Sequence, residues 1–171
     1  MSAHAVTVIG RDRPGIVAGI TRVLAGFGGN IEDSTMTRLR GTFAMTLVVD
    51  VSAEPAEVEE ALAEVAHSLG VRVSVAPAVE ESAIPTGAHH VLTLHGADRP
   101  GIVAEVTALL AQVGGNITEM TTRLSGDLYA LVAEVDLPPQ RDSAVVAREV
   151  AVLGERLGVH ASLRPAEADV L

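Results

Sequence analysis

Asp12-Arg13-Pro14-Gly15-Ile16 and Asp98-Arg99-Pro100-Gly101-Ile102 are the two segments whose residue types and spacing suit the capture of a small ligand. Each falls where a strand-like alternation ends and a helical periodicity begins. The first turn of a helix carries N–H groups with no partner inside the helix and the positive end of the helix dipole. Such a place attracts a carboxylate. Proline removes one donor, which leaves Gly15 and Ile16, or Gly101 and Ile102, to offer theirs. Glycine has no Cβ and lets a ligand come close to the main chain. Asp12 or Asp98 suits an ammonium group. Asn30 and Asn116 open the following strand, and a carboxamide both donates and accepts. Backbone N–H, carboxylate and carboxamide together match a free amino acid. The same residues also make an ordinary turn and cap, with the aspartate closing the loop on its own backbone. The residues alone leave both uses open.

Catalytic signatures are missing. Without cysteine there is no thiolate nucleophile, disulfide, zinc finger or iron–sulfur cluster. No nucleophile elbow, His-Glu-x-x-His or phosphate-binding loop occurs. The six histidines form no nucleophile–base pair. His89, His90 and His95 lie close together, with His90 and His95 on opposite faces of a regular strand. A metal site wants two to four convergent ligands, and nothing completes one here. The cluster reads as a polar strand start with one outward imidazole. His4, His67 and His160 stand alone. No enzyme activity, catalytic residue, metal ligand or cofactor is therefore assigned.

The elements that must position these loops come in two copies. Asp12 to Ala18 recurs as Asp98 to Ala104 at an offset of 86, and Gly28-Gly29-Asn30-Ile31 recurs as Gly114-Gly115-Asn116-Ile117. Thr37-Arg38-Leu39 matches Thr122-Arg123-Leu124 at 85, and Leu69-Gly70-Val71 matches Leu157-Gly158-Val159 at 88. Two copies of one fold follow, not a solenoid.

Within each copy the hydrophobic period switches in the same order. Val6 and Val8, or Leu92 and Leu94, mark a strand. Ile16, Ile20, Val23, Leu24 and Phe27 mark a helix, repeated by Ile102, Val106, Leu109, Leu110 and Val113. Pro14 and Pro100 suit the first helical turn, and the glycine pairs suit left-handed stops. A polar-alternating strand follows, then a hairpin at Gly41 or Gly126 and an apolar strand. The 85-residue offset points to an extra residue in the second strand of the first copy, held as a bulge or a shifted hairpin. Val58, Leu62, Val65 and Leu69, matched by Val146, Val150, Leu153 and Leu157, mark a second helix before a final strand.

The expected fold is α+β: two ferredoxin-like βαββαβ domains, each a four-stranded antiparallel sheet with two helices on one face. The expected boundaries are 1–78 and 89–171, joined by a linker at 79–88, with a frayed tail after Pro165. Domains this small have marginal cores, so the copies are expected to pair within the chain, with a homodimer as the other arrangement.

Composition narrows the partners. The chain has 171 residues, with 12 Lys and Arg against 22 Asp and Glu, for a formal net charge of −10. An acidic chain is poorly suited to direct contact with nucleic acid, which needs a basic face. No signal peptide or long apolar run is visible, so a soluble cytoplasmic protein is expected, away from membranes.

The order strand, Asp-Arg-Pro-Gly-Ile, helix, Gly-Gly-Asn-Ile, strand, hairpin, strand, helix, strand resembles the ACT domain. That resemblance implies a regulatory module that binds amino acids. The tandem form resembles the glycine cleavage system transcriptional repressor group, whose members act on a partner transcription factor. It implies a ligand of glycine or serine type at an ACT–ACT interface. The contacts would come from Asp12, Gly15, Ile16 and Asn30, and from Asp98, Gly101, Ile102 and Asn116. Some family members carry histidine two residues before the aspartate; Gly10 and Gly96 stand there in this chain. The alternative is a ligand-free interaction or oligomerisation module, or a regulatory subunit of an enzyme.

Overall fold

A computed structural model describes residues 2–79 and 87–166. The chain divides into two compact units, Met1–Glu81 and Ser82–Leu171. Most of the expected linker and the tail beyond Ala166 lie outside the described residues.

The first unit runs β1 (Ser2–Arg11), α1 (Ile16–Gly26), β2 (Asn30–Leu39), β3 (Thr42–Val51), α2 (Pro55–Leu69) and β4 (Val71–Pro77). The second runs β5 (Ala88–Ala97), α3 (Ile102–Gln112), β6 (Asn116–Ser125), β7 (Leu128–Leu137), α4 (Ser143–Leu157) and β8 (Val159–Pro165). The sheets are ordered β2-β3-β1-β4 and β6-β7-β5-β8, and every pairing is antiparallel. Period-2 alternation sends Val6 and Val8 of β1 to one face of their sheet, where Ile16, Ile20 and Leu24 of α1 and Val58 and Leu62 of α2 meet them. Leu92 and Leu94 meet Ile102, Val106 and Leu110 of α3 and Val146 and Val150 of α4 in the same way. Each unit is thus a βαββαβ sandwich of one sheet and two helices, as expected.

Three local expectations need correction. Pro14 and Pro100 do not enter the helices. Gly15 and Gly101 are the N-caps, at φ 94 in both copies, and that left-handed turn delays the helix to Ile16 and Ile102. Only the first glycine of each exit pair is left-handed, Gly28 at φ 69 and Gly114 at φ 76. The second is needed for close approach: a Cβ on Gly29 would sit 2.9 Å from Leu24 O, and on Gly115 3.2 Å from Leu110 O. The two N–H groups return to the helix, Gly29 to Leu24 O at 3.0 Å and Gly115 to Leu110 O at 2.8 Å.

The third correction concerns the second strand. The bulge is present in both copies, between Ile31 and Asp33 and between Ile117 and Glu119. No residue has been lost, because Thr37 stands opposite Ala44 and Arg123, not Thr122, stands opposite Ala130. The apparent offset of 85 comes from the turn. Arg40 and Gly41 both have positive φ, 48 and 84, as a type I′ turn needs. The second hairpin places its glycine first, Gly126 at φ 60 followed by Asp127, the order of a type II′ turn. The true insertion lies later. Residues 52–54 join β3 to α2, whereas residues 138–142 join β7 to α4.

Candidate functional site

Each Asp-Arg-Pro-Gly loop begins where the first strand of its unit leaves the sheet. Asp12 N–H donates to Gly41 O at 2.8 Å, and Asp98 N–H to Asp127 O at 3.4 Å, so the hairpin holds the loop. Gly15 (φ 94, ψ −7) and Gly101 (φ 94, ψ −11) repeat one backbone shape, and no side chain caps either helix start. The aspartate does not close the loop on the cap: Asp12 instead lies 3.5 Å from Arg38. The side chains of Ile16 and Ile102 are buried in the core, so these residues can offer a ligand only their main chain. Gly15 and Gly101 are exposed.

The arginine of the motif has a role that sequence reasoning missed. Arg13 Nη2 lies 3.5 Å from where a Cβ on Gly70 would be, and Arg99 Nη1 3.2 Å from the same point on Gly158. Gly70 and Gly158 are the left-handed C-caps of α2 and α4. Each guanidinium therefore sits over the negative end of the second helix of its unit. The motif ties the start of one helix to the end of the other. Gly10 and Gly96 are explained nearby. A Cβ on Gly10 would lie 2.8 Å from Gly70 O and from Val71 Cα, and on Gly96 2.7 Å from Val159 Cγ1. No side chain fits there without moving β4 or β8.

Asn30 and Asn116 are exposed and are the only asparagines in the chain. They do not join the loops within a unit. Asn30 pairs with Asp50, whereas Arg11, next to the loop, pairs with Thr42 at the other end of β3. Eight residues of strand separate those ends, about 27 Å at 3.4 Å per residue. The amino-acid kit assembled in sequence is therefore split between opposite ends of each sheet. Asp50 and Asp136, the register partners of the two asparagines, were overlooked, although both lie 86 residues apart like the asparagines themselves.

His90 and His95 lie on opposite faces of β5, as expected: His90 is buried on the core face, and so is its repeat equivalent His4. His4 Nε2 donates to Ala53 O at 2.7 Å, and His90 Nδ1 to Ala88 O at 2.7 Å. His95 does face outward, with its ring centroid 4.9 Å from that of His160. His89 Nδ1 lies 2.6 Å from Asp136 Oδ1. Among the described residues no three His, Asp or Glu side chains converge as metal ligands, and no helix is long and apolar enough to cross a membrane.

Comparison with known proteins fits this architecture. Two models described as "ACT domain" match the chain, over residues 5–76 and 90–148. The UPF0237 protein of Methanopyrus kandleri is 50% identical over 78 residues, which is 44% of this chain and 87% of that protein. The crystal structure of an unknown protein from Galdieria sulphuraria superposes with a TM-score of 0.80 at 30% identity, covering 97% of this chain and 99% of that one. A putative glycine cleavage system transcriptional repressor shares the fold, with a TM-score of 0.69 at 18% identity over 97% of this chain and 98% of its own. With both halves matched and both built as βαββαβ units, the chain belongs to the ACT-domain family and carries two such domains in tandem.

Proposed function

We propose that this protein is a cytoplasmic, non-catalytic regulator that binds a small amino acid of glycine or serine type and reports it to a partner protein. The observation that carries this reading is the pair of exposed left-handed glycines, each opening a helix that no side chain caps. Free N–H groups and the dipole at such a place favour a carboxylate. The aspartates and asparagines named above complete the recognition of a zwitterion: Asp12, Gly15, Ile16 and Asn30 in one unit, Asp98, Gly101, Ile102 and Asn116 in the other. Because loop and asparagine lie at opposite ends of a sheet, the ligand takes the loop of one ACT domain and the asparagine of another. Binding then favours one arrangement of domains, which a partner distinguishes. The fold shared with a putative glycine cleavage system transcriptional repressor supports a partner in transcriptional control of amino-acid metabolism. A net charge of −10 favours a protein partner over direct contact with nucleic acid.

Calorimetry of the folded full chain against the twenty amino acids tests the proposal. Heat with glycine or serine, lost in Gly101→Val or Asn116→Ala, is expected. No heat with any amino acid would contradict it. The second reading, a ligand-free oligomerisation module, is favoured by one specific observation. Met36, Leu39, Met120, Leu124, Leu128 and Val132 are all 45–63% exposed, on or beside the edge strands β2 and β6.

A further inference from the structure

The two units differ at the asparagine end, and the difference is chemical. In the second unit the longer β7–α4 connection, Pro138 to Asp142, folds back on itself through Arg141 N–H to Pro138 O at 2.9 Å. The Arg141 side chain then anchors it to the end of α3, Nε donating to Val113 O at 3.0 Å. A cavity of about 170 Å³ results, whose polar lining includes Asn116, Asp136 and Gln140. That is room for roughly six waters at about 30 Å³ each, or the head of a small amino acid. His89 Nδ1 stands 2.6 Å from Asp136 Oδ1, a buried oxygen that accepts no hydrogen bond from the described residues.

The first unit has none of the added parts. Its connection is two residues shorter, Ala3 stands opposite Asp50 where His89 stands opposite Asp136, and the cavity that Asn30 lines does not include Asp50.

From this we infer that the tandem is functionally asymmetric and that the candidates above narrow: the Asn116–Asp136–Gln140 pocket of the second unit, in place of Asp12 or Asp98, binds the ligand's ammonium group, and Asn30 with Asp50 does not. The inference rests on the amino-acid-binding reading above and assigns its cationic half. Asp136 and Asp50 are both half-buried, so the difference between them lies in the cavity that Asp136 shares with Asn116 and Gln140. The carboxamides of Asn116 and Gln140 supply oxygens that accept from the remaining N–H bonds of an ammonium.

Side-chain amide spectra suit the test, because the chain has only Asn30, Asn116, Gln112 and Gln140 to resolve. The full chain, labelled with ¹⁵N, is titrated with methylammonium and separately with acetate. Methylammonium is expected to shift the Asn116 and Gln140 amides and leave Asn30 in place, while acetate leaves all three unmoved. Asp136→Asn, which keeps the side chain's shape, should abolish those shifts, and Asp50→Asn should not. In parallel calorimetry, Asp136→Asn should weaken glycine or serine at least ten-fold, and Asp50→Asn less than two-fold. Equal effects of the two substitutions, or methylammonium shifts at Asn30, would overturn the asymmetry while the sensing reading stands. If no amino acid binds but methylammonium still shifts Asn116 and Gln140 through Asp136, the pocket stands and the sensing reading falls.

Discussion

Glycine is used for two different physical reasons in these loops, and substitution separates them. At Gly101 an added Cβ would meet nothing within 4 Å, but φ is 94. Gly101→Ala should therefore cost about 1–2 kcal/mol through left-handed strain alone. At Gly10 the backbone is an ordinary strand, yet the Cβ would press on Gly70 O and Val71 Cα at 2.8 Å. Gly10→Ala should cost about 1–3 kcal/mol by overpacking. Thermal denaturation checks both, at about 4–8 °C per kcal/mol for domains of this size. The Arg13 guanidinium is exposed and acts on the α2 dipole, so Arg13→Ala should lose only about 0.3–1 kcal/mol, and less as salt is raised. Much at this scale was legible in the sequence. The buried isoleucines and a left-handed glycine at each helix exit follow from helical-period and steric rules, whereas the left-handed Gly15 and Gly101 do not, because Pro14 and Pro100 read as the first helical turn. Arg13 over Gly70 was not legible, because those residues meet only through the tertiary fold.

Between elements, the two helical pairs pack differently. Gly19 lets α1 approach α2, since a Cβ there would lie 2.9 Å from Val65 Cγ2 and 3.0 Å from Leu69 Cδ1. The equivalent residue in α3 is Glu105, which reaches Arg156 of α4 at 3.0 Å across a more open groove. Gly19→Glu should destabilise the first unit by about 1–3 kcal/mol. Glu105→Gly should cost only about 1 kcal/mol, almost all from helix propensity, because an exposed ion pair adds little. Urea denaturation of each variant against the parent reads the contrast. Element order and sheet composition were legible from the switch of hydrophobic period. The bulges were half legible. Counting matched residues placed the irregularity in one copy, whereas pairing places it in both and moves the difference into the I′ and II′ turns. Turn type depends on which loop position holds glycine, and an alignment of residue names reads that as a deletion.

For the whole molecule, duplication supplies two loops and two asparagines, while the fold keeps each loop about 27 Å from its own asparagine. The sequence showed these residues but not their separation, because spacing along the chain says nothing about which end of a sheet a strand returns to. That separation makes the cooperation of two ACT domains a geometric requirement of the proposed zwitterion site. It also fits a regulator with a net charge of −10, for which duplex DNA should give no retardation in a gel-shift assay at ordinary salt. Retardation that weakens steeply with salt would contradict the expected protein partner. The most direct measurement is a crystal structure of the full chain grown with glycine or serine. The expected result is an amino acid whose carboxylate accepts from the main-chain N–H groups at Gly15 and Ile16, or at Gly101 and Ile102. Its ammonium should face the asparagine end of a different ACT domain. Those N–H groups capped by protein, with the amino acid absent at saturating concentration, would contradict the account and leave the fold a scaffold for protein contacts.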